Sequence, residues 1–221
     1  MLREGAAALD FPLSPEQAAR LMLYFAELRR WMRRINLVAR DTSEEQLIEL
    51  HFLDSLILAP LVARHPELHL LDIGSGAGFP GLVLAALLPE ARFTLVEPRQ
   101  KRAVFLRHVA RLLGLHQVQV IEERVETLYG QHRRVFSHIT GRAVAEPAAF
   151  LALAEPLIAG DCAANTEVIL FLTRPQSLDA LPPDVQTRWR LHGERSAALP
   201  FTRAPRFLAC MRWLASSNIT A

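Results

Sequence analysis

Leu68-His-Leu-Leu-Asp-Ile-Gly-Ser-Gly-Ala-Gly-Phe-Pro-Gly81 is the stretch on which the reading of the whole chain turns. A short apolar run ends in Asp72 and then breaks into a loop that holds Gly74, Gly76, Gly78 and Gly81. Leu68 to Ile73 has the length and the bounded ends of a buried parallel strand. Glycines carry no Cβ, so the backbone can turn sharply there and approach a ligand closely. Pro80 suits the first turn of a helix, which is predicted to run from Leu82 to Leu88. Strand, glycine loop and helix form the first half of a nucleotide-binding βαβ unit.

The spacing narrows the ligand. It is G-x-G-x-G, not the G-x-G-x-x-G of dinucleotide enzymes, and no Walker lysine follows. A second apolar run, Arg92 to Val96, ends in Glu97 about 20 residues beyond the loop, where an acid meets a ribose diol. Pro98 and Arg99 then open a helix, with Val104, Phe105, Val109 and Leu112 predicted inward and Gly114 as its stop. Gln117 to Ile121 alternates and is β-branched, as a strand should be. Arg124-Val125-Glu126 follows it, at the strand end where open α/β sheets place ligand contacts. Val135 to Thr140 reads as a fourth strand ending in Gly141-Arg142, and Glu167 to Leu172 as a fifth. Glu146 to Ile158 is predicted as the helix between them. Residues 176–205 read as loops around a short strand, Arg206 to Leu214 as the last strand, and residues 216–221 as a frayed tail.

Upstream, residues 1–13 read as a mobile leader. Ser14 as N-cap, Pro15 and Gln17 in a capping box then open a helix. Ala18, Leu21, Met22, Phe25, Leu28 and Met32 carry its period. Arg29, Arg30, Arg33 and Arg34 crowd its end. Cations there suit the helix dipole and suit RNA phosphate as well, so both readings stay open. Thr42 and Glu45 form a second capping box, opening a helix expected to reach about Ala63, with Leu47, Leu50, Leu58 and Leu61 on its inner side. His51, Asp54 and Ser55 fall at i, i+3 and i+4 and share one face.

Composition sets outer limits. A chain of 221 residues with 51% hydrophobic and 22% charged residues folds around a core. No apolar run reaches the length of a membrane span, and the acid-containing N-terminus lacks a signal-peptide pattern, so the cytoplasm is the expected compartment. Cys162 and Cys210 are too few for a disulfide framework or a zinc site and are expected as small buried hydrophobes; no metal is expected. Of the 25 basic residues only Lys101 is a lysine. Arginine's planar donor fork suits phosphate and guanine; the net charge of +2 permits a nucleic-acid partner without demanding one.

Asp72 to Gly81, Glu97 with Lys101-Arg102, and Arg124-Val125-Glu126 resemble the S-adenosylmethionine-dependent methyltransferases of small-subunit ribosomal RNA. In particular they resemble the glucose-inhibited division protein B type, a guanine-N7 methyltransferase. Further matches are Asn36-Leu37, His51-x-x-Asp54-Ser55, Gly141-Arg142-Ala143 and Arg206, so the resemblance spans residues 15–215. It implies an α/β fold, a doubly wound, mostly parallel seven-stranded sheet of the Rossmann-like class I methyltransferase kind. The last strand would be antiparallel. Residues 1–65 would form a helical extension and 66–221 the methyltransferase domain. By the same resemblance Gly74, Gly76, Gly78 and Phe79 surround the methionine part of S-adenosylmethionine, Glu97 holds its ribose, and Val125 and Glu126 flank its adenine. Arg142 touches the cofactor and is the catalytic candidate. His51 and Arg206 are implied to face the substrate, and Arg30, Arg33 and Arg34 are its candidate contacts on the RNA reading of the arginine cluster. The partner implied is 16S ribosomal RNA or a small-subunit precursor, with no membrane, and a monomer is the expectation.

The chemistry after the fourth strand is informative by omission. Enzymes that methylate exocyclic amines carry Asp or Asn-Pro-Pro-aromatic at this place, and no cysteine stands near to attack a pyrimidine carbon. Arg142 is always protonated and makes a poor base. Guanine N7 has an in-plane lone pair and can take a methyl group without first losing a proton, so no general base is expected. One departure stands out: the family's Leu-Lys-Gly after the fifth strand is Leu172-Thr173-Arg174-Pro175 here. Either Arg174 substitutes from a shifted position or the lysine's role goes unfilled. A methyltransferase for a non-RNA substrate would share the glycine loop. A non-catalytic ribosome-binding module would keep the fold without turnover, whereas a dehydrogenase would need a glycine spacing absent here.

Overall fold

The computed structural model describes residues 1–130, 136–158, 166–172, 174 and 181–214. The central elements run β1 His69–Ile73, α6 Gly81–Leu87, β2 Arg92–Val96, α7 Gln100–Leu112, β3 Val118–Ile121, a 3-10 turn Val125–Leu128, β4 His138–Gly141, α8 Pro147–Ala154 and β5 Glu167–Leu172. Then come α9 Pro183–Arg188, β6 Trp189–Ala198 and β7 Pro205–Trp213. Ahead of them lie α1 Leu2–Ala8, α2 Pro15–Met32, α3 Glu44–Leu47, α4 Asp54–Leu56 and α5 Ala59–Val62.

The sheet has seven strands in the order β3-β2-β1-β4-β5-β7-β6. β1 to β5 are mutually parallel, while β7 runs antiparallel to both β5 and β6. Alternation along β1 divides the core. Leu70 joins Phe93 and Leu95 under α2, α6 and α7, whereas Leu71 and Ile73 join Val96, Ile139 and Val168 under α8. Strand order reverses between β1 and β4, and the loops leaving their C-terminal ends part there, opening a crevice. Both the glycine loop and Arg142 stand at that point.

Local signals hold for α2. Ser14 Oγ accepts the Gln17 amide at 3.2 Å and the Ser14 amide donates to Gln17 Oε1 at 3.0 Å. Leu21, Phe25 and Leu28 are buried, but Met22 is 41% exposed, and Tyr24 takes a place on the apolar face. In α7 the buried stripe is Ala103, Phe105, Leu106, Val109 and Ala110. Val104 and Leu112, expected inward, sit just off that stripe and are 44% and 41% exposed. Gly114 ends the helix with φ +66°.

Four expectations are corrected. Residues 2–8 are not a loose leader but α1, whose Leu2 and Ala6 are buried in the core. The second capping box is Ser43 with Gln46, because the Thr42 hydroxyl instead donates to the Ala39 carbonyl at 2.8 Å. The helix to Ala63 is not continuous: α3 passes into a π-helical turn, Ile48–Leu53, and Pro60, which has no N–H, interrupts the pattern before α5 finishes. Residues 183–198 are α9 and the ten-residue β6. β6 reads as polar because it is an edge strand that alternates half-buried with exposed positions and pairs with β7 alone. Val135, Cys162, Thr173 and residues 216–221 lie outside the described residues; Cys210 is buried as expected.

The π turn directs Glu49 inward, where it is 3% exposed. Its Oε1 accepts the amides of Phe201 and Thr202, each at 2.7 Å, in the turn between β6 and β7. This side chain therefore fastens the helical segment to the far edge of the sheet. Glu49→Ala is expected to lose about 2–4 kcal/mol in urea unfolding, since hydrogen bonds to a charged acceptor contribute roughly 1.5–3 kcal/mol each. Glu49→Gln should lose less, because it keeps an acceptor oxygen. An unchanged urea midpoint for the alanine variant would show that the two amides do not depend on Glu49.

Candidate active site between beta1 and beta4

The crevice between the strand ends is a cleft of about 620 Å³. Gly74, Gly76, Phe79, His51, Arg102 and Arg142 are on its walls. Behind the glycine loop, off the cleft lining, is Asp72, the last polar residue of β1, which is fully buried. Asp72 Oδ2 accepts the Gly81 amide at 3.0 Å, and the Ser75 hydroxyl donates to the Asp72 carbonyl at 2.9 Å. A Cβ at position 81 would stand 2.7 Å from that carboxylate oxygen, so only glycine admits this bond. Asp72 Oδ1 has no hydrogen-bond partner among the described residues. Burial pushes the Asp72 carboxyl up to about 7, against the opposing pull of the Gly81 amide, Ser75 and Arg142.

Glu97 is a strut behind the loop. It is 3% exposed; Oε2 accepts the Gly76 amide and Oε1 the Arg99 amide, both at 2.9 Å. Each oxygen retains a second lone pair. Gly78 faces away from the cleft: its φ is +98°, and a Cβ there would lie 2.5 Å from the Tyr24 hydroxyl. Tyr24 in turn donates to the Ala77 carbonyl, pinning the loop to α2. Arg102 reaches from α7 to the Asn36 carbonyl with Nε at 3.2 Å and Nη2 at 3.1 Å, holding the 33–42 segment beside the cleft.

The opposite wall is a chain of charged groups. Arg142 Nη1 donates to the Leu50 carbonyl at 2.8 Å and to Asp54 Oδ2 at 2.9 Å. Arg142 Nη2 lies 2.8 Å from His51 Nδ1. Asp54, 4% exposed, gives its other oxygen to Arg206 Nε at 2.8 Å. Phe79 underlies the group: the His51 ring stacks on it at 5.0 Å, and the Arg142 guanidinium stands 5.4 Å from its centroid. Burial first, and Arg142 second, holds the His51 imidazole down at about 4. His51 and Asp54 from the helical segment, Arg142 from the end of β4 and Arg206 from β7 thus meet at one place.

Other sequence candidates lie elsewhere. Val125 is buried in a 3-10 turn, Val125–Leu128, and Glu126 beside it is exposed; neither lines this cleft. Arg30 pairs with Glu27 at 3.3 Å, and Arg34 is exposed outside both clefts. Arg33 lines a second cleft of about 440 Å³ with Arg29 and Arg40. Arg29 is ion-paired with Glu44, and Thr42 belongs to both clefts. Arg174 is exposed. Sequence reasoning does not reach Tyr24, Arg102 or the Leu50 carbonyl as parts of the site. Only Arg102 carries a sequence signal, its place in the motif after Glu97. The Cys210 thiol is pushed up to about 12 by burial and then by Glu167, so it offers no nucleophile. Among the described residues no cluster of His, Cys, Asp and Glu could hold a metal ion.

The family model for rRNA small subunit methyltransferase G, also called GidB, matches residues 17–172. The ribosomal RNA small subunit methyltransferase G of Desulfotalea psychrophila is 44% identical over 157 residues, 70% of either chain. Its namesake in Roseiflexus sp. is 45% identical over 159 residues, 71% of this chain and 67% of the relative. A crystal structure of a point variant of MtNAS in complex with S-adenosylmethionine aligns with a TM-score of 0.57 at 19% identity. It covers 90% of this chain and 77% of that one, a likeness of fold.

Asp72 supplies a pH signature. Its folded-state value, about 7, lies above the ordinary 3.8, so the folded state binds the proton more tightly than the unfolded chain. The Asp72 contribution to stability is fully present below the unfolded value and is lost as pH rises through the folded one. His51 acts in the opposite sense, contributing stability that is lost as pH falls from 6.5 towards about 4. Asp72→Asn removes the first titration alone. Its melting temperature relative to the native chain should therefore climb between about pH 4 and pH 7.5 and level off above. A difference that stays constant across that range would mean Asp72 does not titrate upward.

Proposed function

The chain belongs to the rRNA small subunit methyltransferase G family, and from that premise we propose that it transfers a methyl group from S-adenosylmethionine to N7 of a guanine in 16S ribosomal RNA, free or in a small-subunit precursor. One observation carries the choice of N7: among the described residues the cleft joins the glycine loop to the His51–Arg142–Asp54 chain, and the one carboxylate on its lining, Asp41, is exposed on the 33–42 segment and is not part of that chain. Arg142 is always protonated. His51 Nδ1 is occupied by Arg142, and Asp72 and Glu97 are buried behind the loop. An acceptor that arrives with a free lone pair and no proton to shed fits such a site, and guanine N7 is one.

The residues present fit the cofactor. Asp72 and Glu97 place two buried carboxyl groups directly behind the loop, a setting that favours a cationic ligand. Gly74, Gly76 and Phe79 would hold the methionine part from the cleft wall, with Gly78 shaping the loop from behind. Glu97 would reach the ribose with its remaining lone pairs, and Val125 and Glu126 would stand at the adenine. When bound, S-adenosylmethionine supplies an electrophilic methyl group on a sulfonium. The chain's own task is to bring the guanine into line, and orientation can supply roughly 7–11 kcal/mol of the barrier reduction. Arg142 does this by fixing the wall of the cleft, with Arg206 securing Asp54 behind it.

The RNA backbone would enter along the second cleft, where Arg33 and Arg40 present cations next to Thr42, the residue shared with the first. Arg30 contributes less because Glu27 already pairs with it, and Arg34 stands further off. Residues 1–65 then serve as the RNA-facing extension and residues 66–221 as the methyltransferase domain. The protein acts as a cytoplasmic monomer, with Arg174 replacing the family's lysine after β5. Transfer of labelled methyl to rRNA from cells lacking the gene, with mapping of the modified base, tests this reading. Label on an exocyclic amine or on ribose would overturn the N7 assignment; label on protein alone would overturn the RNA substrate.

Two measurements follow from the mechanism and the path. At saturating cofactor, single-turnover methylation should be nearly flat between about pH 7.5 and 9, because no essential base titrates there. Arg142→Ala should slow it by roughly a hundredfold, the cost of misplacing a reacting group by about 1 Å, and Arg142→Lys should rescue little because the planar fork is gone. RNA affinity should fall linearly on a log-log salt plot, and replacing Arg33 and Arg40 with alanine should reduce the slope by about 1.4, about 0.7 for each phosphate no longer neutralised. An unchanged slope would remove the second cleft from the path.

A further inference from the structure

Arg142 fixes more than the position of His51. A guanidinium can only donate, so the 2.8 Å contact between Arg142 Nη2 and His51 Nδ1 makes Nδ1 the acceptor. The ring's one proton is then on Nε2. Rotation of the ring to exchange its nitrogens is opposed twice. The imidazole stacks on Phe79 at 5.0 Å and 24°, and Arg142 is itself held by the Leu50 carbonyl and Asp54. Asp54 is held in turn by Arg206. His51 lines the same cleft as Gly74, Gly76 and Phe79. Among the described residues no protein acceptor is bonded to its Nε2. At His51 the cleft wall therefore carries a neutral ring N–H held in one direction, next to the loop where the methyl donor would sit.

We propose that His51 Nε2–H donates to O6 of the target guanine and selects guanine over adenine, with Arg142, Asp54 and Arg206 as its positioning residues. The inference rests on the guanine-N7 reading above and adds the atom that reads the base. Along the major-groove edge guanine presents two acceptors, N7 and O6, whereas adenine presents N7 and an amino donor. A fixed N–H opposite the six-position attracts the first and meets a second donor in the other. It also leaves the N7 lone pair free, which a donor aimed at N7 itself would occupy. An uncharged donor has a further advantage over a bare arginine: the purine ring becomes cationic as it accepts the methyl group, and a positive charge bonded to its edge would oppose that. Here Arg142's charge is set one ring back and faces Asp54.

The test uses RNA substrates in which the target guanine is replaced by inosine, which keeps N7 and O6, or by 2-aminopurine, which keeps N7 and lacks O6. The native protein should accept inosine nearly as well as guanine and lose roughly tenfold in kcat/KM on 2-aminopurine, the worth of one hydrogen bond. His51→Phe keeps the stack on Phe79 and removes the donor, so its guanine to 2-aminopurine ratio should fall towards one. His51→Gln, which offers an amide oxygen to Arg142 and an N–H to the cleft, should restore the ratio. A ratio within one preparation does not depend on how much of it is active. Where a variant turns over too slowly, the same ratio is read from RNA affinity in the presence of S-adenosylhomocysteine. Undiminished discrimination by His51→Phe, or none by the native protein, overturns the assignment of His51. Failure of the native protein to methylate guanine N7 in any rRNA would instead overturn the functional reading beneath it.

Discussion

A buried carboxylate held between two arginines ties this molecule together. Asp54 lies in the helical segment ahead of the sheet. Arg142 leaves the end of β4, 88 positions away, and Arg206 comes from β7, 152 positions away. An unpaired carboxylate at 4% exposure would cost several kcal/mol, and the two arginines take one oxygen each. Such a pair is weak evidence for stability, because desolvation offsets much of the attraction. Its effect is geometric. It allows one arrangement of the helical segment against the strand ends, and that arrangement closes the cleft.

The π turn at Ile48–Leu53 makes the arrangement possible. A π turn inserts an extra residue per turn, so the side chains on either side of it change phase. Glu49 is thereby turned inward to the amides of Phe201 and Thr202, while His51 is left at the cleft and Asp54 points back at the two arginines. The segment is thus fastened at both ends of one turn. A regular helix through the same residues would put Glu49 and His51 on different bearings, and one of these two attachments could not form.

What can be read from the sequence follows from how local each signal is. The β1 strand, the glycine loop and Glu97 are legible because a buried parallel strand and a tight loop are specified by adjacent residues. The α2 capping box at Ser14 and Gln17 is legible for the same reason. Val104 is misplaced because an apolar residue one step outside a stripe looks identical to one within it. β6 escapes because an edge strand is only half covered and carries the polar pattern of a loop. The π turn leaves no local signature. In the site, the motif matches name His51, Asp54, Arg142 and Arg206, yet only the fold shows that they form one chain of interactions. No local pattern foretells that Gly78 faces Tyr24, or that Glu97 already holds two backbone amides.

The distribution of charge across the cleft suits the chemistry proposed for it. Methyl transfer to N7 would carry positive charge from the sulfonium to the purine ring, a short displacement across the cleft. On the loop side stand Asp72 and Glu97, the first with an oxygen unpartnered among the described residues and a carboxyl raised to about 7. A cation bound nearby would draw that carboxyl towards ionisation, so the loop side becomes most negative when the donor is in place. On the opposite side Arg142 would work against the developing charge if it faced the ring bare. Asp54, shared with Arg206, offsets part of it, and His51 stands in front of it, kept uncharged by burial and by Arg142 itself. The same guanidinium that would harm the reaction by its charge serves it by direction. It fixes an imidazole that presents a hydrogen-bond donor without presenting a charge.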